Sequence, residues 1–323
     1  MTSGLFAQLG LATETVYGTY VAPTRFLPFD SEDLKLSIER DEMTGSLGES
    51  TTTLRSDRWI AGKRNVSGTV ALKVMTRGFG LLFQHMLGNV AITTPGGAVL
   101  AREHAHTLGN LFARMLTIQV GRPDMGGVVR PFSYLGCKVE SWELSNAVSG
   151  FLELSLTLDG RDETTAQTLA AASYPANNVP LHWAGGAITI GGVAFPLQEI
   201  TISGTTGNEP DRYTIGEPIK AQPIQENHVE ITGSIAADFA DLTAYNRFVS
   251  GTPAAIVATW TGPLIEGAHN SLVRVTMPVC RFDGEAPVVE GPGRLTQNLS
   301  FKVLNDGTQQ PITILYTTTD TAS

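Results

Sequence analysis

Apolar and polar positions alternate with a period of two along much of this chain, which is the pattern of strands with one face buried and one in water. Residues 34–39, 66–74, 116–121, 132–139, 142–144 and 152–158 read this way in the first half, the last most cleanly. Residues 187–193, 197–204, 228–235 and 301–304 read this way in the second. A helical period appears only briefly. One short helix is predicted from near Thr76 to a stop at Gly88, with Leu81, Leu82, His85 and Met86 on its buried face, and a second within 239–251.

The pattern repeats. Asn65-Val66-Ser67-Gly68-Thr69-Val70-Ala71-Leu72 returns as His228-Val229-Glu230-Ile231-Thr232-Gly233-Ser234-Ile235, and each copy leads into one of the two short helices. Each half carries one cysteine followed by a basic residue, Cys137-Lys138-Val139 and Cys280-Arg281-Phe282, and each closes on Asp-Gly, at Asp159-Gly160 and Asp306-Gly307. Four landmarks in one order predict two copies of one β-rich domain. The expected division is 1–165 for a first domain with an N-terminal arm, 166–180 for a linker in which Thr, Ala, Asn and Pro replace apolar periodicity, and 181–323 for a second domain.

Two segments lose the period. Residues 40–64 are dense in charge, Gly, Ser and Thr, and residues 205–226 occupy the corresponding place in the second half, stiffened by Pro210, Pro218 and Pro223. Irregular segments of that length in a compact domain are usually functional or disordered. They are expected to be contact arms.

A chain of 323 residues is long enough for two cores, and its 16% of charged residues suits short strands joined by turns. Residues 1–165 hold 15 Lys+Arg against 17 Asp+Glu, a balance of −2, which leaves 7 against 14, or −7, for residues 166–323. Such a chain is not built to grip phosphates. No apolar run reaches the roughly 20 residues of a membrane span, and Met1-Thr2-Ser3-Gly4-Leu5 lacks the basic start of a signal peptide, so a soluble, unexported protein is expected. The two cysteines stand at equivalent places in separate halves and are expected to be small buried hydrophobes, not a disulfide.

Catalytic and metal-binding patterns are sparse. His104 and His106 would share one face of a strand, but no further ligands stand at a supporting spacing, and an ordinary exposed strand accounts for them. Gly126-Gly127 and Gly191-Gly192 sit in turns and do not precede a helix, so they form no phosphate cradle. Asp159-Gly160-Arg161-Asp162-Glu163 is expected to be a solvated turn, and the four tryptophans core or interface anchors. No catalytic residue, cofactor or metal site is predicted, and the expectation is a protein that is not an enzyme.

Several phrases carry a resemblance. Leu54-Arg55-Ser56-Asp57-Arg58-Trp59-Ile60-Ala61-Gly62-Lys63, Thr76-Arg77-Gly78-Phe79-Gly80-Leu81-Leu82, Gln119-Val120-Gly121-Arg122-Pro123-Asp124, Phe132-Ser133-Tyr134-Leu135-Gly136-Cys137 and the run from Leu156 to Thr164 together resemble tail tube proteins (major tail proteins) of long-tailed, flexible-tailed bacteriophages. The resemblance implies a mainly β fold, here two tandem β-sandwich or open-barrel domains each with one short flanking helix. It implies a structural virion protein made in the host cytoplasm, whose rings stack into the hollow tail tube through which viral DNA passes without specific binding. Because the unit is doubled, three chains are expected to make a pseudo-hexameric ring. Its partners would be itself, the tape measure protein, the tail terminator and the distal tail or baseplate proteins, with no membrane. The expected contacts between rings are Arg40, Asp41, Glu42, Arg55, Asp57, Arg58, Trp59 and Lys63 on the first arm, and Glu209, Asp211 and Arg212 on the second. A baseplate or capsid decoration ring protein and a carbohydrate-binding β-sandwich module are the alternatives.

Overall fold

The computed structural model describes residues 3–323 except 46, 49–51, 240, 284–285, 287–288 and 290–291, and the side chain of 244. The first half supplies β1 (Gln8–Thr13), β2 (Arg25–Leu27), β3 (Ser31–Glu32), β4 (Lys35–Glu42), β5 (Trp59–Lys73), α1 (Gly80–Leu87), β6 (Gly88–Thr93), β7 (Arg102–Leu108), β8 (Leu116–Pro123), β9 (Val129–Ala147), β10 (Glu153–Gly160) and β11 (Asp162–Thr164). The second supplies β12 (Gly186–Ile190), β13 (Val193–Ala194), β14 (Glu199–Thr205), β15 (Asn208–Glu209), β16 (Ile224–Gln225), β17 (Glu230–Asp238), α2 (Thr243–Ser250), β18 (Ala254–Glu266), β19 (His269–Phe282), β20 (Thr296–Val303) and β21 (Thr313–Thr318). The fold is mainly β, in open antiparallel sheets that pack as a sandwich, with two short helices.

One layer is a single sheet that crosses both halves. Its strands run β4–β5–β10–β9 and then β14–β17–β20, with the last residues of β19 pairing on β20. The join is the ladder between β9 and β14, seven residue pairs from Ser141↔Thr205 to Ala147↔Glu199. The second layer is in two pieces. In the first half it runs β2–β1–β8–β9–β11, and in the second β13–β12–β18–β19–β21.

Strands β9 and β19 belong to both layers, and a bulge lets each one turn from one to the other. Partners step from Leu116↔Cys137 to Ile118↔Tyr134 on β9, and from Ala254↔Cys280 to Ile256↔Met277 on β19. The two bulges therefore fall at corresponding residues. On β9 the turn is taken at Gly136, whose φ of +63° is unfavourable for other residues and whose missing Cβ would stand 2.7 Å from the Tyr17 ring.

The core lies between the layers and is one cluster drawn from both halves, including Leu156, Trp142, Ile202, Ile235, Trp260 and Tyr316. Buried apolar side chains of this size contribute about 1.5–3 kcal/mol each relative to exposure. Polar groups that reach the core are paired across the layers: Tyr134 donates to the Leu34 carbonyl at 2.7 Å, and the Trp260 indole donates to Asn146 Oδ1 at 3.0 Å.

Three details differ from the sequence reading. The irregular segment at 40–64 is shorter, because β4 continues to Glu42 and β5 begins at Trp59, pairing Glu42↔Trp59 and Arg40↔Ala61. Solvent wets both faces of this hairpin extension, so apolar alternation does not mark it. His104 and His106 are fully buried on β7, not exposed, since β6 and β7 add to the edge of β21 with Ile314↔His106 as one of the pairs. Asp159 is buried where a solvated turn is expected. The Gly-Gly hairpin does form as expected: β12 and β13 are joined by Gly191 and Gly192, both at positive φ, as a tight two-residue turn requires.

Candidate functional site

The sheet that crosses both halves presents one apolar and one polar face. Val70, Leu72, Leu156, Leu144, Ile202, Ile235, Leu299 and their neighbours point into the core. The alternate positions form a broad hydroxyl-rich surface: Thr69, Ser155, Thr157, Ser141, Ser145, Thr201, Ser203, Thr232, Ser234 and Ser300. Acidic groups are set among them at Glu143, Glu153, Glu199, Glu230 and Asp238. Two of the cations there are paired. Lys73 bonds to Asp30 at 2.8 Å and Glu153 at 3.2 Å, and Lys302 to Glu230 at 2.7 Å, which holds the Glu230 carboxyl below its usual range. Such a face can hold a layer of water through neutral hydroxyls and offers no free row of cations to a polyanion.

A second feature is the β4–β5 hairpin tip. Trp59, Ile60, Met43, Leu47 and Leu54 are exposed there, and the Arg40 guanidinium lies 5.4 Å from the centre of the Trp59 ring. Arg55 grips Asp57 with two bonds, at 3.0 and 2.9 Å, and Arg58 approaches the same carboxylate at 3.5 Å. Burial is absent here, and the Asp57 carboxyl is held below its usual range by the Arg55 bonds. Asp41 and Glu42 are exposed along the same strand. The structure thus gathers all eight first-arm candidates onto one hairpin, and residues 46 and 49–51 of its tip lie outside the described residues.

The second segment, 205–226, is placed differently. It folds back over the first half: the Arg64 amide donates to the Pro218 carbonyl at 2.9 Å, and Tyr213 donates to the Arg64 carbonyl at 2.8 Å. Lys63 stands over the Tyr213 ring at 5.0 Å. Lys220, 1% exposed, donates to Asn65 Oδ1 at 2.6 Å and to Asp159. Burial pushes the Asp159 carboxyl up to about 6 against the opposing pull of Lys220. Of the three candidates on this segment only Asp211 is exposed; Glu209 sits in the small β15–β16 ladder, and Arg212 bonds to the Gln222 carbonyl. Sequence reasoning missed Lys220 and Asp159, because nothing local marks a lysine that is buried by a partner 61 residues away.

A two-layer β fold, a polar sheet running through both halves and a charged hairpin at its edge fit a protein that assembles. Comparison with known families decides which. A family model described as phage tail tube protein matches residues 4–303. The chain belongs to that family. A search of curated proteins returned no match.

Tail tube proteins are structural components of the virion tail that assemble into stacked tubes, and the remaining polar clusters fit a structural part. His85, His104 and His106 are buried at the foot of α1. Burial pushes His85 down to about 4 and His106 to about 3, and neither ring nitrogen of His106 has a hydrogen-bond partner among the described residues. His104 bonds through Nε2 to the Asp320 carbonyl at 2.9 Å. No group of three His, Cys, Asp or Glu among the described residues could hold a metal. Cys137 and Cys280 are free and buried, and burial raises both thiols, to about 12 for Cys280. No helix among the described residues is long and apolar enough to cross a membrane.

Proposed function

We propose that three copies of this chain close into a pseudo-hexameric ring, and that stacked rings form the tail tube that conducts DNA during ejection. The observation that carries this reading is the repeated strand order. The series β4–β5–β10–β9 and β14–β17–β20–β19 have the same order and direction, and β9 meets β14 inside one chain. Strand β4 has β5 as its ladder partner and an open outer edge among the described residues, which is a template for a further strand. If the end of the second series met β4 of the next copy as β9 meets β14, the contact would be head-to-tail and would close after a fixed number of copies. Taking 1–165 and 181–323 as two domains of one kind, with 166–180 between them, gives six similar wedges from three chains.

In this arrangement the hydroxyl-rich face lines the lumen. Glu143, Glu153, Glu199, Glu230 and Asp238 repel phosphates, while the hydroxyls keep a water layer on which the duplex slides. The β4–β5 hairpin, with Arg40, Asp41, Glu42, Arg55, Asp57, Arg58, Trp59 and Lys63, makes the contact to the next ring, joined by the exposed side of the second loop around Asp211. Opposite charges beside a few exposed apolar groups suit specific docking. At the ends of the tube the ring would meet the tail terminator and the distal tail or baseplate proteins, and inside it the tape measure protein. Electron microscopy of purified protein tests the reading: hollow stacked tubes support it, and isolated rings or dispersed monomers in the presence of tail-initiating proteins count against it.

A further inference from the structure

Helix α2 carries apolar side chains that nothing among the described residues covers. Leu242, Val249 and Phe248 are exposed by 57%, 62% and 36%. On the side of α2 that carries Thr243 and Arg247, a groove of about 460 Å³ opens toward the β12–β13 hairpin, floored by Ile190, Phe195, Leu197, Phe282 and Leu299. Helix α1 has no such face, because the end of the chain closes over it. The Tyr316 ring meets the Phe83 ring edge-on at 5.6 Å, Thr318 donates to the Thr76 carbonyl at 2.8 Å, and Asp320 accepts from the Gly78 amide at 2.6 Å. The cover of α1 thus comes from β21 and the residues after it, across the junction between the two halves.

Within the ring reading above, on which this inference rests, we propose that the uncovered face of α2 and its groove form the seam between chains, occupied by β11 and the following segment, up to Tyr174, of the next copy. The strand registers identify the occupant. Thr164 pairs with Ser133 on β9 as Thr313 pairs with Thr276 on β19, and the matching bulges place Ser133 and Thr276 at corresponding positions. Residues 165–174 therefore leave β11 where 314–323 continue β21. The segment lies on its own β1 and β8, where Gln8 donates to the Ala170 carbonyl at 2.7 Å and the Ala170 amide donates to Gln119 Oε1 at 2.8 Å, and it turns Ala166, Ala171, Ala172 and Tyr174 outward as the apolar groups that would meet the groove. Tyr174 meets the Phe26 ring of its own chain edge-on at 6.3 Å and stays 47% exposed, so its outer side is open to a neighbour. The seam between chains differs from the junction within a chain in one respect. After α1 the chain makes the β6–β7 hairpin, whereas after α2 only Gly251, Thr252 and Pro253 precede β18, which leaves the groove open for the neighbour.

Cross-linking tests the seam directly. Asn246 stands on α2 where Phe83 stands on α1, counting from the capping glycines Gly251 and Gly88, and Gln167 lies three residues after Thr164 as Tyr316 lies three after Thr313. The double variant Asn246→Cys with Gln167→Cys, assembled into tubes and treated with a short bismaleimide, is expected to give covalent dimers and trimers, and each single variant none. The native cysteines are buried and stay silent. Val249→Asp is expected to leave the circular dichroism and unfolding midpoint of the free subunit unchanged while lowering tube yield about tenfold or more. Rings of threefold symmetry that show no cross-link, or normal tubes from Val249→Asp, would overturn the seam and leave the ring reading standing. Rings of another symmetry would overturn both.

Discussion

Helices α1 and α2 each follow the second strand of a four-strand series and each end on a glycine, yet one is core and the other is surface. On α1, Leu81, Leu82, Phe83, His85, Met86 and Leu87 are all buried; on α2, Thr243, Asn246, Phe248, Val249 and Ser250 are exposed. The difference is one of position. A helix at a junction inside the chain is covered by the chain, whereas a helix at the chain's far side keeps its apolar residues for a neighbour. Exposed apolar groups beside a groove are then the mark of an assembly contact and not of poor packing.

The sharpest way to break this comparison is to truncate a matching side chain on each helix. Phe83→Ala should cost the isolated subunit about 3–5 kcal/mol, because it opens a cavity between Tyr316 and His106, while Val249→Ala should stay within about 0.5 kcal/mol. Denaturant unfolding of the two variants checks this. Equal losses would mean that α2 is part of the subunit core.

The buried pair comes next, since it ties the second half's loop to the first half's sheet. Lys220→Met leaves an uncompensated carboxylate at Asp159 and should cost about 3–5 kcal/mol at pH 8. A folded-state carboxyl raised to about 6 is favoured in its protonated form, so the stability it retains at low pH is lost as pH rises from its unfolded value through about 6. The deficit of Lys220→Met relative to the parent should therefore shrink on going from pH 8 to pH 5. A deficit that grows on acidification would remove Asp159 as the cause.

His106 has the opposite sign. Its folded-state value is depressed to about 3, so the stability from a neutral imidazole is present above about 6.5 and is lost as pH falls toward 3. His106→Leu removes two unpartnered ring nitrogens from an apolar site, and should raise the unfolding midpoint slightly while flattening its fall between pH 6.5 and 4. Melting curves across that range decide it, and an unchanged slope would contradict the assignment. The smallest effect on the subunit is expected from replacing residues 44–57 of the hairpin tip by a short Gly/Ser turn. Melting should be unaffected, and rings should form without stacking.

Much of this architecture is legible in the chain, and what is not has a common cause. Core-facing alternation marks β5, β10, β14 and β20 directly, and the Cys-basic-apolar triplets fall at matching bulges, Cys137 opposite Leu116 and Cys280 opposite Ala254. Nothing local marks the hairpin β6–β7 as part of the second half's layer, since its burial depends on β21, which follows far along the chain. The same holds for Lys220 and Asp159. Local periodicity reports which face of a strand is covered, but not what covers it, and the two strands of the charged hairpin carry no period because neither face is covered. The candidate site is legible in part for that reason: loss of pattern marks the first arm, whereas the hydroxyl face emerges only when six strands lie side by side.

A density map of the assembled tube, resolved to the strand level, bears most directly on the central claim. Threefold rings are expected, in which every chain contributes β4–β5–β10–β9 and β14–β17–β20–β19 to one continuous wall, with the Ser/Thr face toward the lumen. A wall built from only one of the two series, or a lumen lined by the other layer, would contradict it.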